Sequence, residues 1–525
     1  VSATDGEDAR AWRQALAITA AATVVRLVLA ALIPLFPDET YYWDWSRHLT
    51  GGYFDHPPMI ALLIRAGRAI GFLGAPSLAI RLFPVLAGGV ASLATAAIAR
   101  RVGGGKAARI TAIVFALMPL AATGLVLATP DAPLLAASAV GLYCVVRALQ
   151  AAPRSRAALA WWTGAGVALG LAFASKYTSI LLPVTITVAV LLRPSLRARL
   201  REPGPYLACV VATLVFLPVL QWNAAHDWIS FRFQLQHGLG TPARGSAIKR
   251  ELDLIGGQLG LVSPIIFGLM AHAVWRTIRR PADDVRFALA VVAVGSWVFF
   301  VYSALRRSVE ANWPAPSYIA GVVLLAALHA SPSRDRWLRR GIVLAGLLMA
   351  VIYLHALVPV LPLEASRDPL ARNAGWERVA QQVNEARDAL ARDALAPVDG
   401  GARGVTSWVG ADRYQDVSEL AYHTPRRSDV GSATAFCMCF AGRRNQYHLW
   451  PAFPERAKPG DALVLVLDET PSTEVHGTAQ GLAAYFTRVH RGAAAPLLRG
   501  ADTVSVRRLW ILEGYRGGWP VRAER

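Results

Sequence analysis

Pro34-Leu-Phe-Pro-Asp38-Glu39-Thr-Tyr-Tyr-Trp43-Asp-Trp45-Ser-Arg-His-Leu-Thr-Gly-Gly52-Tyr-Phe-Asp55-His56-Pro-Pro58 follows directly on a long apolar run. Two acids, Asp38 and Glu39, stand where a membrane helix should end, and a further acid beside a histidine, Asp55 and His56, follows in the same loop. Charge at a bilayer boundary is tolerated where water or a polar ligand reaches it, so acids gathered at one helix exit point to a site. The competing reading is a solvated loop with aromatic anchors at the interface.

Composition places the chain in a membrane. Of 525 residues 54% are apolar and only 17% are charged, and the mean hydropathy is +0.37. Apolar runs of about 20 residues, the length that crosses the hydrocarbon core, recur along the first two thirds. The first run is long for the core of a cleaved leader and ends in Pro-Asp-Glu, so it is expected to be the first span. The net charge of +19 does not imply nucleic acid, because the arginines cluster in short turns between apolar runs, as orientation signals do. Cys144 and Cys209 lie inside apolar runs as packing residues, while Cys437-Met-Cys439 offers too few ligands, too close together, for a metal.

About eleven spans are expected, near 15–36, 78–99, 109–128, 131–149, 158–174, 176–192, 205–221, 254–275, 285–304, 315–331 and 340–361. Every even-numbered exit is basic: Arg100, Arg101, Lys106 and Arg109; Arg147, Arg154 and Arg156; Arg193, Arg197, Arg199 and Arg201; Arg276, Arg279, Arg280 and Arg286; Arg334, Arg336, Arg339 and Arg340. These turns are therefore expected in the cytoplasm, with the N-terminus. The loop 37–77, the Thr129-Pro-Asp131 turn, the Ser175-Lys176-Tyr177 break, the loops 222–253 and 305–314, and everything after about 361 then face outward. Lys176 in mid-run favours two helices, 158–174 and 176–192, meeting at the outer face.

The stretch after residue 365 is polar. It carries a helical pattern over 373–393 (Trp376, Val379, Val383) and β-like runs at 462–468 and 503–512. The expected organisation is a membrane-spanning unit over 1–364 and a small outward α/β domain over 365–525. Within the first loop, Trp43–Leu49 reads as a surface helix with Trp43 and Trp45 at the headgroups. Met59–Phe72, interrupted by Arg65 and Arg68, reads as a helix along the interface.

Several short patterns carry chemistry or its imitation. Gly103-Gly-Gly-Lys106 lacks the spacing of a phosphate loop and is expected to be a turn. Asp131 after Pro130 is either a helix cap or a site acid on the outer side. Lys176 in an apolar setting asks for a phosphate or carboxylate partner, a phosphate ligand being the favoured one, with snorkelling as the alternative. In the loop after the seventh span, Asn223, His226, Asp227 and Arg232 orient a sugar or an anion, or else the segment is interfacial anchoring. Arg306, Arg307, Glu310 and Asn312 near the tenth span carry the same ambiguity.

Together these residues resemble the GT-C glycosyltransferases, and in particular bacterial family 39, similar to protein O-mannosyltransferases and to aminoarabinose transferases. The resemblance rests on Asp38-Glu-Thr-Tyr-Tyr-Trp43, Gly52-Tyr-Phe-Asp-His-Pro-Pro-Met59, Thr129-Pro-Asp-Ala-Pro133, Ser175-Lys-Tyr177, Trp222-Asn-x-x-His-Asp-Trp228 and Glu310-Ala-Asn-Trp-Pro314, over residues 12–360. The outer tail matches more loosely, through Asp412-Arg-Tyr-Gln415 and Arg444-Asn-Gln-Tyr-His-Leu-Trp450. It implies a mainly α polytopic fold with an outer α/β domain, a polyprenyl-phosphate sugar as donor, and an inverting transfer. Its catalytic acid maps onto Asp38, beside Glu39, its second acid onto Asp131 and its lysine onto Lys176. Arg81 is a second candidate for the donor phosphate. Tyr42, Asp55, His56, Asn223, His226, Asp227, Glu310 and Asn312 are candidate substrate contacts. Where aminoarabinose transferases usually carry an arginine and a lysine, Tyr41 and His56 stand here, so sugar and acceptor stay open.

The chemistry agrees. A site outside the cytoplasmic membrane has no nucleotide sugars at hand, so a flipped lipid-linked donor suits it. A phosphate leaving group needs cationic stabilisation rather than a general acid, and the acceptor hydroxyl needs a carboxylate base. The expected enzyme sits in a bacterial inner membrane with its site toward the periplasm and acts on an envelope lipid, glycan or protein such as lipopolysaccharide. Participation of a divalent metal is open. The rival class, a transporter or lipid flippase, predicts inverted repeats and broken helices near the midplane.

Overall fold

The computed structural model describes residues 3–70, 74–240, 245–330, 335–395, 405–424, 435–439, 443–469, 479 and 481–520. Contacts divide the chain into two compact units, Val1–Ile33 with Leu49–Leu357, and Pro34–His48 with Val358–Arg525. The segment Pro34–His48, expected with the membrane-spanning part, is thus counted with the C-terminal unit.

In chain order the helices up to Leu357 are α1 (Ala3–Leu32), α2 (Pro37–Trp45), α3 (Met59–Ala69), α4 (Pro76–Leu117), α5 (Pro119–Gly124), α6 (Asp131–Gln150), α7 (Arg156–Phe173), α8 (Leu181–Leu192), α9 (Pro194–Arg197), α10 (Pro203–Ala225), α11 (Ile229–Leu239), α12 (Ala247–Val262), α13 (Pro264–Arg279), α14 (Asp284–Arg306), α15 (Ala315–His329) and α16 (Arg336–Leu357). All but α2 belong to the first unit. Its core gathers α4, α6, α13, α14 and α15 around side chains such as Phe115, Leu142, Met270, Val292, Tyr318 and Val323. Helix α15 is apolar on every side and buried along most of its length, as a central helix should be.

Among the described residues six helices are long and apolar enough to cross a membrane, or up to eight if each of two bent pairs is one span. This is fewer than the expected count of about eleven, because several of the helices at the expected positions are short, bent or merged. Helix α4 merges two expected spans across Gly104, whose φ of 76° breaks the helical path. The glycines there allow close approach: a Cβ on Gly103 would lie 2.9 Å from Ala327 Cα. This basic turn is tied to α1 through Arg100 and Asp8, 3.0 Å apart, and Lys106 and Glu7, 3.3 Å apart. The expected span 254–275 is α12 and α13, bent by 104° at Ser263, whose φ is 78°. Pro264 explains the break, since it lacks the N–H that would continue α12. The expected pair at Lys176 is present as α7 and α8, joined by a short turn of helix at Tyr177–Ile180.

Two expectations for outer loops change. The segment 222–253 is largely helical, holding α11 and the start of α12, and Trp222 is buried rather than an interfacial anchor. A Cβ on Gly52 would come within 2.7 Å of Trp222 Cε3, so glycine lets the loop before Pro57 lie against this indole. Helix α3 is amphipathic, packing Ile60, Ala61, Ile64 and Gly67 inward with Arg65 exposed; Phe72 lies outside the described residues.

The second unit adds α17 (Trp376–Leu395), β1 (Ser407–Ala411), α18 (Tyr414–His423), β2 (Phe436–Cys437), α19 (Phe453–Arg456), β3 (Ala462–Asp468), β4 (Phe486–Arg499) and β5 (Asp502–Tyr515). The sheet order is β2-β1-β3-β5-β4, with β1 parallel to β2 and β3 and the remaining pairs antiparallel. Central β3, Ala-Leu-Val-Leu-Val-Leu-Asp, is buried almost throughout, which explains its unbroken apolar run. Cys437 and Cys439 form a disulfide beside β2.

Helix α2 packs on α18 within this unit. Trp43 and Trp45, expected at the headgroups, are 9% and 0% exposed. Trp43 meets Tyr422 edge-on at 5.1 Å, and Trp45 meets Tyr41 and Tyr42 at 4.9 and 5.0 Å. Edge-on packing against other aromatic rings of the protein takes the place of the expected interfacial anchoring.

Candidate active site

The predicted residues fall into two groups, one in each unit. In the C-terminal unit Asp38 is the second residue of α2, and its side chain is exposed. The Tyr414 hydroxyl donates to Asp38 Oδ1 at 3.2 Å. Glu39, its neighbour, is fully buried, and its Oε2 accepts the Phe36 N–H at 3.0 Å. That bond satisfies an amide at the helix start, a helix-forming role for this acid. Tyr42 is buried, its ring packed against Tyr41 and Trp45.

Further contacts hold α2 in place. Thr40 and Ser418 hydroxyls lie 3.0 Å apart, the Gln446 N–H donates to the Tyr41 hydroxyl at 2.7 Å, and the Tyr447 hydroxyl donates to Asp44 Oδ2 at 3.1 Å. Arg47 lies 3.1 Å from Asp44 Oδ1. Burial raises the Asp44 carboxyl above its ordinary range despite Arg47, and raises the Tyr447 phenol well above its own. Glu419 on α18 is also fully buried; desolvation lifts it to about 7, with His423 Nε2 at 3.4 Å only partly offsetting this. Asp44, Tyr414, Glu419 and Tyr447 were not among the residues expected at a site. The two loosely matching tail motifs, Asp412–Gln415 and Arg444–Trp450, were the one signal for the tyrosines.

In the first unit Asp131 opens α6, and two polar side chains converge on it. Lys176 Nζ lies 2.7 Å from Oδ1, and Asn312 Nδ2 donates to Oδ2 at 2.8 Å. Lys176 is 8% exposed, so an ammonium in an apolar setting has its expected anionic partner, here a carboxylate of the protein. Asn312 reaches Asp131 from the turn before α15, which the Trp313 N–H closes onto the Glu310 carbonyl at 3.0 Å. Glu310 itself is exposed.

Asn223 is buried and donates to the hydroxyl of Tyr177, the residue after Lys176, at 3.2 Å. His226 stacks on Trp222 with ring centroids 4.1 Å apart and holds the Trp222 carbonyl at 2.7 Å through Nδ1. Asp227, exposed with a φ of 53°, turns the chain from α10 into α11. Helix α11 pins the first loop: Ser230 donates to the Tyr53 carbonyl and Gln234 to the Asp55 carbonyl, both at 2.6 Å. Asp55 is buried and His56 half-buried. Arg81 is fully buried and donates to the Ala30 and Ile33 carbonyls at 3.1 and 2.5 Å, satisfying the end of α1. Among the described residues no group of three or more His, Cys, Asp or Glu is placed to hold a metal.

A family model described as dolichyl-phosphate-mannose-protein mannosyltransferase matches residues 55–222. Lipid A galacturonosyltransferase RgtD of Rhizobium johnstonii is 32% identical over 314 residues, 59% of this chain and 64% of that protein. The chain thus spans somewhat under two thirds of the curated relative it matches. The ArnT structure from Cupriavidus metallidurans bound to undecaprenyl phosphate superposes with a TM-score of 0.64 at 18% identity, covering 96% of this chain and 98% of that one. The apo ArnT structure gives 0.61 at 17% identity over 94% and 97%. Mycobacterial arabinofuranosyltransferase AftD gives 0.53 at 15% identity, over 95% of this chain and 40% of that one. The architecture is the GT-C fold of membrane glycosyltransferases.

Proposed function

We propose that this protein is an integral-membrane glycosyltransferase moving a sugar from a polyprenyl-phosphate donor to a hydroxyl of a cell-envelope acceptor, with inversion at the anomeric carbon. The observation that carries the reading is Lys176, a nearly buried ammonium fixed 2.7 Å from Asp131 at the head of α6. An ammonium has three N–H donors and the bond to Asp131 uses one, so others can meet a phosphate oxygen. Asp131 and Asn312 hold its direction.

In the transfer, the acceptor oxygen attacks the anomeric carbon and its proton passes to Asp38. The bond from that carbon to phosphate oxygen breaks, and polyprenyl phosphate leaves with charge that Lys176 stabilises. Glu39 shapes the helix under Asp38, and Asp55 and His56 line the first loop as substrate contacts. The exposed acid Asp227 and Glu310 are further candidates for the acceptor. Buried Tyr42, Asn223 and Arg81, with the exposed His226 stacked on Trp222, support these groups through the packing described above.

The likeness to a lipid A galacturonosyltransferase favours a galacturonosyl residue as the sugar and a lipid A-type saccharolipid as the acceptor. The proposed place is the bacterial inner membrane with the site toward the periplasm, supported by the basic turns and by the Cys437–Cys439 disulfide, a bond that persists in oxidising compartments. The bent helix pairs are a feature a transporter would share, but the solved structures of similar fold are glycosyltransferases. Intact-lipid mass analysis of a deletion strain against its parent tests the reading. Lipid A lacking one hexuronosyl residue is expected, and an unchanged lipid profile speaks against this acceptor.

A further inference from the structure

We propose that Tyr414 is a positioning residue for Asp38, setting the direction in which that carboxylate takes up the proton. This rests on the reading of Asp38 as the base. The two residues are 376 apart in sequence, yet the phenol hydroxyl donates to Asp38 Oδ1 at 3.2 Å. A bond to one carboxylate oxygen sets the rotation of the whole group, and with it the direction in which the other oxygen presents its lone pairs. General-base catalysis depends on that direction, because a proton in flight tolerates little misalignment.

The surroundings of Tyr414 suit the task. Its ring lies 4.7 Å from Tyr41, on the next turn of the helix that bears Asp38, so the phenol is braced against that helix. The guanidinium of Arg443 sits 5.1 Å from the ring centroid. A cation over the ring draws electron density from the phenol and strengthens its O–H as a donor.

A purely structural role explains less. Helix α2 is already fastened to its unit by Thr40 with Ser418, by Tyr41 with Gln446 and by Asp44 with Tyr447. These bonds are buried or partly so, whereas the one to Asp38 is at the surface, where a hydrogen bond contributes little to stability. The exposed bond directs the one carboxylate that the reaction needs.

The test is a transfer assay on the full-length purified protein, with donor concentration varied. Tyr414→Phe keeps the ring and its packing and deletes only the hydroxyl. It is expected to lower kcat about tenfold, leave the donor KM within about twofold and leave the unfolding temperature within about 2 °C. Ser418→Ala is the structural comparison: it removes bonds to Thr40 and Pro37, and should lower the unfolding temperature without lowering kcat. A parental kcat in Tyr414→Phe, or an effect confined to KM, overturns the proposal. Asp38→Asn in the same assay separates the two levels. If it is impaired while Tyr414→Phe is parental, only the role of Tyr414 fails; if it turns over normally, the reading of Asp38 fails.

Discussion

Lys176 and Glu419 show how single buried charges are made tolerable in opposite ways. Lys176 is paired with Asp131, itself held by Asn312. Lys176→Ala removes the proposed phosphate contact and the ion-pair partner of Asp131, which keeps its bond from Asn312. The variant is expected to weaken binding of a polyprenyl-phosphate donor by about tenfold or more, as loss of a charged hydrogen bond does. Lipid-binding titration checks this, and unchanged affinity removes Lys176 from the donor site. Glu419 instead gives up its charge: burial raises it from 4.5 to about 7. Because the folded protein holds this proton more tightly than the unfolded chain, the stabilisation is full below about pH 4.5 and is lost as the pH rises through 7. Glu419→Gln keeps the neutral form at every pH. Its C-terminal unit should therefore lose less protection between about pH 6 and pH 8 than the parental one, read by hydrogen exchange along α18. Equal losses would show that another group governs the pH dependence.

At the scale of elements, glycines and prolines decide where the helices turn. Gly52→Ala would press a methyl onto the Trp222 indole at 2.7 Å and move the loop that carries Asp55 and His56. Overpacking of this kind costs about 1–3 kcal/mol, so the unfolding temperature should fall, and a variant as stable as the parent would mean that the loop shifts freely. The turn at Gly104 and the break at Lys176 were legible in the sequence. A run of glycines breaks a helix, and a lone ammonium in an apolar chain needs either a boundary or an anion. The bend at Ser263 was missed although Pro264 marks it, since hydropathy averages across a proline. Trp43 and Trp45 were misplaced because aromatic residues next to a span suit an interface and a protein core equally well. The bond between Asp38 and Tyr414 was out of reach, because spacing along a chain says nothing about partners 376 residues apart.

For the molecule as a whole, the regular alternation of basic turns sets the expected sidedness. Lys106→Cys, in the basic turn, and Arg413→Cys, before α18, are both at exposed positions. With Cys144 and Cys209 replaced, an impermeant thiol reagent on intact cells should label the second and spare the first. Labelling of both or neither would sink the topology. The central claim is the chemistry, and Asp38→Asn in the purified full-length protein addresses it most directly, with a polyprenyl-phosphate galacturonate donor and lipid A as acceptor. The parental protein should transfer the sugar. The variant, of nearly the same shape but unable to accept the proton, should fold, bind the donor and turn over about 10² to 10⁴ times more slowly. Transfer by Asp38→Asn at a near-parental rate would contradict the account.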